Sequence, residues 1–275
     1  MPEEVTVTEI APPRGWLDPV RGLWRDRGLI SFFVWRDLKV RYRQTFVGAG
    51  WAVLQPLALM TVFTLFLSGI IDPPGGSVSY ALFVFMGLVP WTLFAQSVSQ
   101  SANAIVNNSD LVRKASFARL VLPVSAVGAY VVDFVIASVV AVVGVVIATG
   151  RLSPTVLLVP VVAIVTLFIS LAVGIGLSAL NVQFRDVRYA TPFLIQAWLF
   201  ATPVVYPAEL APEAVQSLLF INPMTGVVVA YRWSMLGGSP PAVTSLSVSL
   251  VAGSVLLLLS LGYFSRSEAK FADAI

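Results

Sequence analysis

The residues best suited to chemistry form a cationic group early in the chain. Four basic side chains and one acid fall within the eight positions of RDLKVRYR: Arg36, Asp37, Lys39, Arg41 and Arg43. No ionisable side chain follows until after residue 71. Cations beside a long apolar run hold that end of a membrane protein in the cytoplasm, and they also attract anionic headgroups. The cations therefore either set orientation alone or bind lipid phosphate, and both interpretations remain open.

The same segment has a helical period. Four residues recur at every fourth position: Ile30, Val34, Leu38 and Tyr42. Arg36, Lys39 and Arg43 gather on the opposite side of a helical wheel. This pattern predicts an amphipathic helix over residues 29–46 that lies in the membrane interface. Arg41 falls on the apolar side, from which we expect its long side chain to reach toward the headgroups.

The side chains needed for catalysis and for ATP hydrolysis are missing. The chain has no Cys and no His, which excludes thiolate and imidazole catalysis and the metal sites built from those ligands. It contains neither a D-x-D pair to hold the metal of a sugar nucleotide nor a G-x-x-x-x-G-K-[ST] phosphate loop. We therefore predict no catalytic residue, no metal and no cofactor on this chain. An ATP-driven pump built from this chain would need a second polypeptide to bind ATP and Mg²⁺.

One carboxylate, Asp133, lies deep inside an apolar run. An acid at that depth is energetically costly and faces a cavity or a partner group. Proton coupling and a structural hydrogen bond to a neighbouring helix are both open, and a lone acid favours the hydrogen bond.

Aromatic residues, 11% of the chain, are a further candidate set. Their rings can stack on sugar faces while staying in lipid, but they also form interfacial belts and pack helices. Six of them could line a path for sugars: Tyr80, Trp91, Trp198, Tyr206, Tyr231 and Trp233.

The elements that position these residues are predicted to be membrane helices. Hydrophobic residues make up 57% of the chain and charged residues only 11%, against about 25% charged in a soluble domain. A span needs about 20 apolar residues, and in lipid its backbone must satisfy its own hydrogen bonds, as a helix does. Six runs qualify: residues 49–71, 79–103, 120–149, 152–181, 189–206 and 243–264. A turn is predicted at residues 72–77, directly after the first run.

Residues 209–236 lie between the fifth and sixth predicted spans. Asn222-Pro223 divides this segment into two halves too short to cross alone, which predicts a re-entrant helical hairpin. All but two of the 17 Lys and Arg residues then fall on one side, the exceptions being Arg151 and Arg232. The positive-inside rule places both termini in the cytoplasm. The predicted fold class is an all-α integral membrane protein, and its N-terminus, which lacks a signal peptide, is expected to be retained.

Several stretches, in this order, resemble the permease subunits of polysaccharide-exporting ABC transporters, the group that moves lipid-linked O-antigen, teichoic acid and related glycans. They are RDLKVRYRQTFVGAGWAVLQPL, NNSDLVRKASFARLVLP, NVQFRDVRYATPFLIQAW, PVVYP, INPMTGVVVAYRW and FADAI. The resemblance covers residues 29–275, the permease domain. Residues 1–28 are left as a cytoplasmic N-terminal extension.

The resemblance implies a homodimer of six-span permeases that binds two copies of an ATP-binding cassette subunit. The assembly would lie in the inner membrane of a bacterium, among membrane lipids, and would move a lipid-linked polysaccharide rather than bind nucleic acid. Residues 107–117 would form a coupling helix, which Asn108 or Ser109 can cap. Its expected contacts with the ATPase are Asn108, Ser109, Asp110, Arg113, Lys114 and Phe117.

Two other classes of function stay open. One is a membrane-embedded transferase that acts on polyprenyl-linked sugars, although the missing D-x-D pair, His and Cys count against it. The other is an ion-coupled secondary transporter, which only Asp133 supports. The hairpin at residues 209–236 is expected to act either as an outer gate or as a brace.

Overall fold

A computed structural model describes residues 18–43, 48–71, 78–238, 240–241 and 243–271. Throughout these ranges the regular structure is helical, in agreement with the predicted all-α class. Parts of several predictions lie outside the described residues: residues 1–17 of the N-terminal extension, residues 44–46 of the predicted interfacial helix, the turn at residues 72–77 and the end of the permease domain at residues 272–275.

The α-helices follow one another along the chain with short connections. They are α1 (Asp18–Arg25), α2 (Arg27–Tyr42), α3 (Trp51–Leu67), α4 (Tyr80–Asn107), α5 (Ser109–Lys114), α6 (Val121–Ala126), α7 (Gly128–Thr149), α8 (Val159–Gln183), α9 (Asp186–Phe200), α10 (Glu213–Ile221), α11 (Pro223–Leu236) and α12 (Val243–Ser267).

Five segments of the described chain are long and apolar enough to cross a membrane: Gly48–Leu67, Tyr80–Asn107, Val121–Thr149, Pro154–Gln183 and Thr244–Ser267. They match five of the six predicted spans. The predicted span at residues 189–206 differs, because α9 has 15 residues and ends at Phe200. Pro203 follows three residues later and lacks the backbone N–H that would extend the helix by one more hydrogen bond. At 1.5 Å per residue α9 is about 22 Å long, shorter than a hydrocarbon core of about 30 Å.

Helix α4 lies at the centre of the fold and packs most extensively on α8. The two backbones approach closely, since a side chain at Gly174 of α8 would collide with Ser101 of α4. Next to this contact, the Asn181 side-chain amide donates a hydrogen bond to the Ala102 carbonyl (2.9 Å). Small residues and polar side chains at the contact are how helices associate within a membrane.

Helices α10 and α11 meet at Asn222, so the predicted division of this segment at Asn222-Pro223 is present. The Asn222 amide fixes this junction to the end of α9. Its Nδ2 donates to the Ala201 carbonyl (2.8 Å), and its Oδ1 accepts from Trp198 Nε1 (3.0 Å). The same Oδ1 accepts from the Met224 backbone N–H and so caps α11 (3.0 Å).

Arg232 of α11, one of the two cations predicted to lie on the external side, is only 9% exposed. Its guanidinium donates to the carbonyl oxygens of Pro203 (2.8 Å) and Val204 (2.5 Å). It also lies over the Phe83 ring, 3.6 Å from the centroid. The turn after α9 contains these carbonyls, and buried carbonyls outside a helix need such a partner. Arg232 therefore satisfies the backbone carbonyls of the turn that follows the end of α9.

Candidate functional site

Helix α2 packs against α6 and α7, and a cavity of about 440 Å³ lies between these helices and α4. The polar part of its lining combines guanidinium, amide, hydroxyl and carboxylate groups: Arg36, Asp37, Arg41, Gln100, Asn107, Asn108, Ser125 and Tyr130. Guanidinium groups bind phosphate through paired hydrogen bonds. Amides and hydroxyls can hydrogen-bond to sugar hydroxyls. The lining is therefore chemically suited to a phosphorylated or glycosylated headgroup.

Arg41, which lines this cavity, forms an ion pair with Asp133 of α7. Arg41 Nη2 lies 2.6 Å from Asp133 Oδ2, and the two side chains are 29% and 11% exposed. The Tyr42 hydroxyl donates a hydrogen bond to the other Asp133 oxygen, and the Arg41 guanidinium lies 4.2 Å from the centroid of the Tyr130 ring. The apolar position of Arg41 on the helical wheel thus faces a counter-ion on α7. Asp133 thus accepts a hydrogen bond from a neighbouring helix, as its position in the sequence favours.

Arg36 joins the cationic group to the predicted coupling segment. Its Nη2 lies 2.8 Å from Asp37 Oδ1, and its Nη1 donates to Asn108 Oδ1 (3.2 Å). The guanidinium also lies over the Phe33 ring, 4.8 Å from the centroid. Two sets of residues that were predicted separately, the phosphate-binding cations and the coupling segment, therefore meet at one side chain.

Lys39 of α2 and Arg43, which follows the end of that helix, do not line the cavity. Both are exposed, and the Lys39 ammonium lies 5.4 Å from the centroid of the Trp35 ring. Phe32 and Trp35 are more than half exposed on the same helix. The fold thus divides the four predicted cations into an inner pair that lines the cavity, Arg36 and Arg41, and an outer pair that does not.

The helical part of the predicted coupling segment is α5, which is shorter than residues 107–117. Asn108 occupies its N-cap position, but its side chain makes no capping bond and donates instead to the Ala104 carbonyl (2.8 Å). Val112 is buried and anchors the helix. Ser109 is partly exposed, and three charged side chains point outward: Asp110, Arg113 and Lys114. An anchored helix with a charged outer surface is suited to contact another protein.

The region before and within α2 also holds the residues that follow α5. The Asp26 carboxylate accepts a hydrogen bond from the Ala118 backbone N–H (2.8 Å), and the Phe33 ring lies 6.1 Å from that of Phe117. The Arg25 guanidinium pairs with the Asp26 carboxylate at 3.0 Å. This pairing is the main reason that the pKa of Asp26 is below its ordinary value, and the hydrogen bond from Ala118 lowers the pKa further. Together with the Arg36 contact, these bonds fasten the coupling segment to α2 at both of its ends.

The six aromatic residues predicted to line a sugar path are held by partners within the chain. Tyr80, Trp91 and Tyr231 are buried, and the other three are partly exposed. Five of them donate hydrogen bonds to the protein: Tyr80 to Val205 O, Trp198 to Asn222 Oδ1, Tyr206 to Phe200 O, Tyr231 to Ser138 Oγ and Trp233 to Gly238 O. Trp91 packs on Phe94, with ring centroids 5.3 Å apart. A role in a sugar path stays a prediction for this set.

Several residues that line the cavity were not predicted from the sequence. Gln100 and Asn107 lie on the same side of α4, at a helical spacing that the sequence does contain. Tyr130, by contrast, lies beside Arg41 only because α7 packs against α2. Nothing in the local sequence signals that contact.

Comparison with known proteins identifies the family. The family model described as ABC-2 type transporter matches residues 28–236. The chain is 34% identical over 261 residues to a protein of Myxococcus xanthus named O-antigen export system permease protein RfbA. This alignment covers 93% of the present chain and 98% of the relative.

More distant relatives agree with this assignment. A Klebsiella pneumoniae protein, also named O-antigen export system permease protein RfbA, is 27% identical, over 87% of this chain and 92% of its own length. The Escherichia coli polysialic acid transport protein KpsM is 25% identical, over 86% of this chain and 93% of its own length. The match to the family model and the extent of the Myxococcus alignment lead to one conclusion: the chain belongs to the ABC-2 type transporter family of membrane proteins.

Proposed function

We propose that this chain is the membrane-spanning subunit of an ATP-driven exporter that carries a lipid-linked polysaccharide across the inner membrane of a bacterium. The relatives named for O-antigen export and polysialic acid transport support this cargo. The observation that carries the proposal is the cavity beneath α2, where two guanidinium groups and several amides converge beside α5. Guanidinium groups suit the phosphates of a carrier lipid, and the amides suit sugar hydroxyls.

The ATPase would be a separate chain, since this sequence has no phosphate loop. We place its contact on α5, where Asp110, Arg113 and Lys114 are exposed and Val112 is buried. By this proposal two permease copies assemble with two ATP-binding cassette subunits, which hold ATP and Mg²⁺. Movement of α5 would reach α2 through the contacts of Arg36 and Asp26.

We further propose six crossings with both ends in the cytoplasm. Helix α9 and the turn that follows it would make the fifth crossing, with the Arg232 guanidinium satisfying the backbone where the helix ends. Non-helical backbone at membrane depth is tolerated where protein buries it or where it lines water. Helices α10 and α11 would then re-enter the membrane from the outside and serve as an outer gate, with bracing of the fold as the alternative role.

Arg36 and Arg41 are the proposed contacts with the carrier phosphates, and Lys39 and Arg43 would attract anionic lipid from outside the cavity. The ion-coupled alternative is not favoured, because Asp133 is already paired with Arg41. The transferase alternative is not favoured either, since the relatives are named as permeases.

The test compares two cations on the same helix. In a strain that lacks the native copy, Arg36→Gln should lower surface polysaccharide at unchanged membrane abundance, and Arg36→Lys should restore part of it because the charge returns. Lys39→Gln is the matched control and should lower export less, since Lys39 lies outside the cavity. Mass spectrometry of lipid that purifies with the protein identifies the cargo. Normal surface polysaccharide in a strain with the whole chain deleted would reject the proposed function.

A further inference from the structure

One side of the central helix α4 is left partly open by its neighbours. Six uncharged polar residues share that side: Thr92, Gln96, Ser99, Gln100, Asn103 and Asn107. At about 100° of turn per residue they fall within an arc of about 100°, and they extend over about 22 Å along the helix. Gln100 and Asn107 are exposed, and the other four are partly exposed. We call this the polar side of α4.

The polar side is badly matched to lipid. An amide or hydroxyl group in hydrocarbon loses the water that would bond to it, unless the protein supplies a partner. Asn103 does have such partners, because it donates to the Ser99 carbonyl (2.8 Å) and accepts from Asn181 (3.1 Å). The Gln96 amide donates to Gln55 of α3 at 3.3 Å. A side-chain amide can donate two hydrogen bonds and accept two, so Gln96 can form further bonds beyond this contact.

The polar side is continuous with the cavity beneath α2. Gln100 and Asn107 line that cavity together with Arg36 and Arg41. Gln96 and Thr92 follow at one-turn intervals toward the opposite end of α4. A headgroup bound at the two guanidinium groups would therefore have uncharged amide and hydroxyl groups next to it in the direction of the far membrane surface.

We propose that the polar side of α4 forms a wall of a water-filled path in which the polysaccharide moves, with amide and hydroxyl side chains bonding to sugar hydroxyls. This inference rests on the proposed function. Charge supports a sugar chain as the occupant, since no ionisable side chain occurs between Thr92 and Asn107. Neutral hydrogen bonds exchange with water at little net free energy, so a long chain can slide past them without being trapped.

The absence of native Cys allows a direct test of water access. Single Gln96→Cys and Gln100→Cys variants, in inverted membrane vesicles with the partner subunit present, are treated with a charged, membrane-impermeant thiol reagent. The control for a buried position on the same helix is Val98→Cys. The control for an exposed apolar position is Val139→Cys on α7, where the native side chain is 58% exposed.

The two glutamine positions should be labelled at least about tenfold faster than either control, because a thiol ionises and reacts in water and not in lipid. Vesicles from cells that make the lipid-linked polysaccharide should be labelled more slowly than vesicles from cells that do not, since the glycan shields the same positions. Labelling of Gln96→Cys and Gln100→Cys as slow as that of Val139→Cys would overturn the inference. It would show that lipid or a second copy of the chain, and not water, covers the polar side of α4.

A functional variant separates this inference from the proposed function. Gln96→Leu combined with Gln100→Leu should lower export several-fold while the protein still assembles with its ATPase, and Gln96→Asn should retain most of the export. Full export by the double leucine variant would contradict the polar path alone. Export that continues without the chain would instead contradict the proposed function, as described above.

Discussion

Removing the charge of Asp133 should destabilise this protein by about 3 kcal/mol, because it leaves the Arg41 guanidinium without its counter-ion. The paired atoms are 2.6 Å apart, and both side chains are largely buried. At an effective dielectric constant of about 20, their attraction is about 6 kcal/mol. Loss of hydration from both groups offsets roughly half of that value. Asn at position 133 would still accept the hydrogen bond from Tyr42, so the predicted loss comes mainly from the charge.

The double variant tests this reasoning. Asp133→Asn and Arg41→Gln should each be destabilising, whereas the combination removes both charges and should lose about 2–3 kcal/mol less than the sum of the two. Tyr42→Phe serves as a smaller reference, since a single hydrogen bond contributes about 1 kcal/mol.

The assay is thermal unfolding of the purified protein in one fixed detergent. For a chain of this size 1 kcal/mol shifts Tm by about 2–4 °C, so each single variant should melt about 6–12 °C lower. Additive losses in the double variant would refute an energetic coupling between Arg41 and Asp133. An Asp133→Asn single variant that keeps its Tm but fails to export would instead indicate that Asp133 takes part in transport.

Three further predictions follow from contacts far from Asp133. Arg232→Met should lower the free energy of unfolding by about 3 kcal/mol, because two buried carbonyls lose charge-assisted partners; an unchanged Tm would contradict that role. Asp26→Ala should loosen the segment after α5, measured as faster proteolysis near Ala118. Because the folded state lowers the pKa of Asp26, its contribution is present at neutral pH and disappears as the pH falls below about 4, whereas Asp26→Ala should show no such pH step. Reversing charge at Arg113 and Lys114 should prevent co-purification of the ATPase or separate ATP hydrolysis from export, and intact coupling would argue against α5 as the contact.

Much of the fold could be predicted from the sequence because hydropathy and proline placement act locally. Apolar runs with at most one charged residue gave five of the six predicted spans, and Asn222-Pro223 gave the division between α10 and α11. The predicted span at residues 189–206 did not appear as one long helix, although Pro203, just past the end of α9, was visible in the sequence. Hydropathy measures the preference for lipid and does not register where the backbone stops being helical.

The candidate site could be predicted only in part. The sequence singled out the four cations near α2 and the segment around Asn108, because charge and capping residues are visible one residue at a time. It did not show that Arg36 and Arg41 face the cavity while Lys39 and Arg43 do not. An ideal helical wheel grouped Arg36 with Lys39 and Arg43, because a wheel contains only the angular positions of residues on one helix and no information about the neighbouring helices.

The sequence by itself determined that this chain is a helical membrane protein with a basic segment before its first span and without a G-x-x-x-x-G-K-[ST] phosphate loop. Those properties depend on composition and on neighbouring residues, which lipid and water select directly. Only the tertiary structure decided which polar groups are partners. Asp133 meets Tyr42 across 91 positions of sequence, and Asn108 meets Arg36 across 72. Such pairs depend on how α2 packs on the helices beneath it, and a buried charge is stable only where that packing brings a counter-charge within hydrogen-bonding distance.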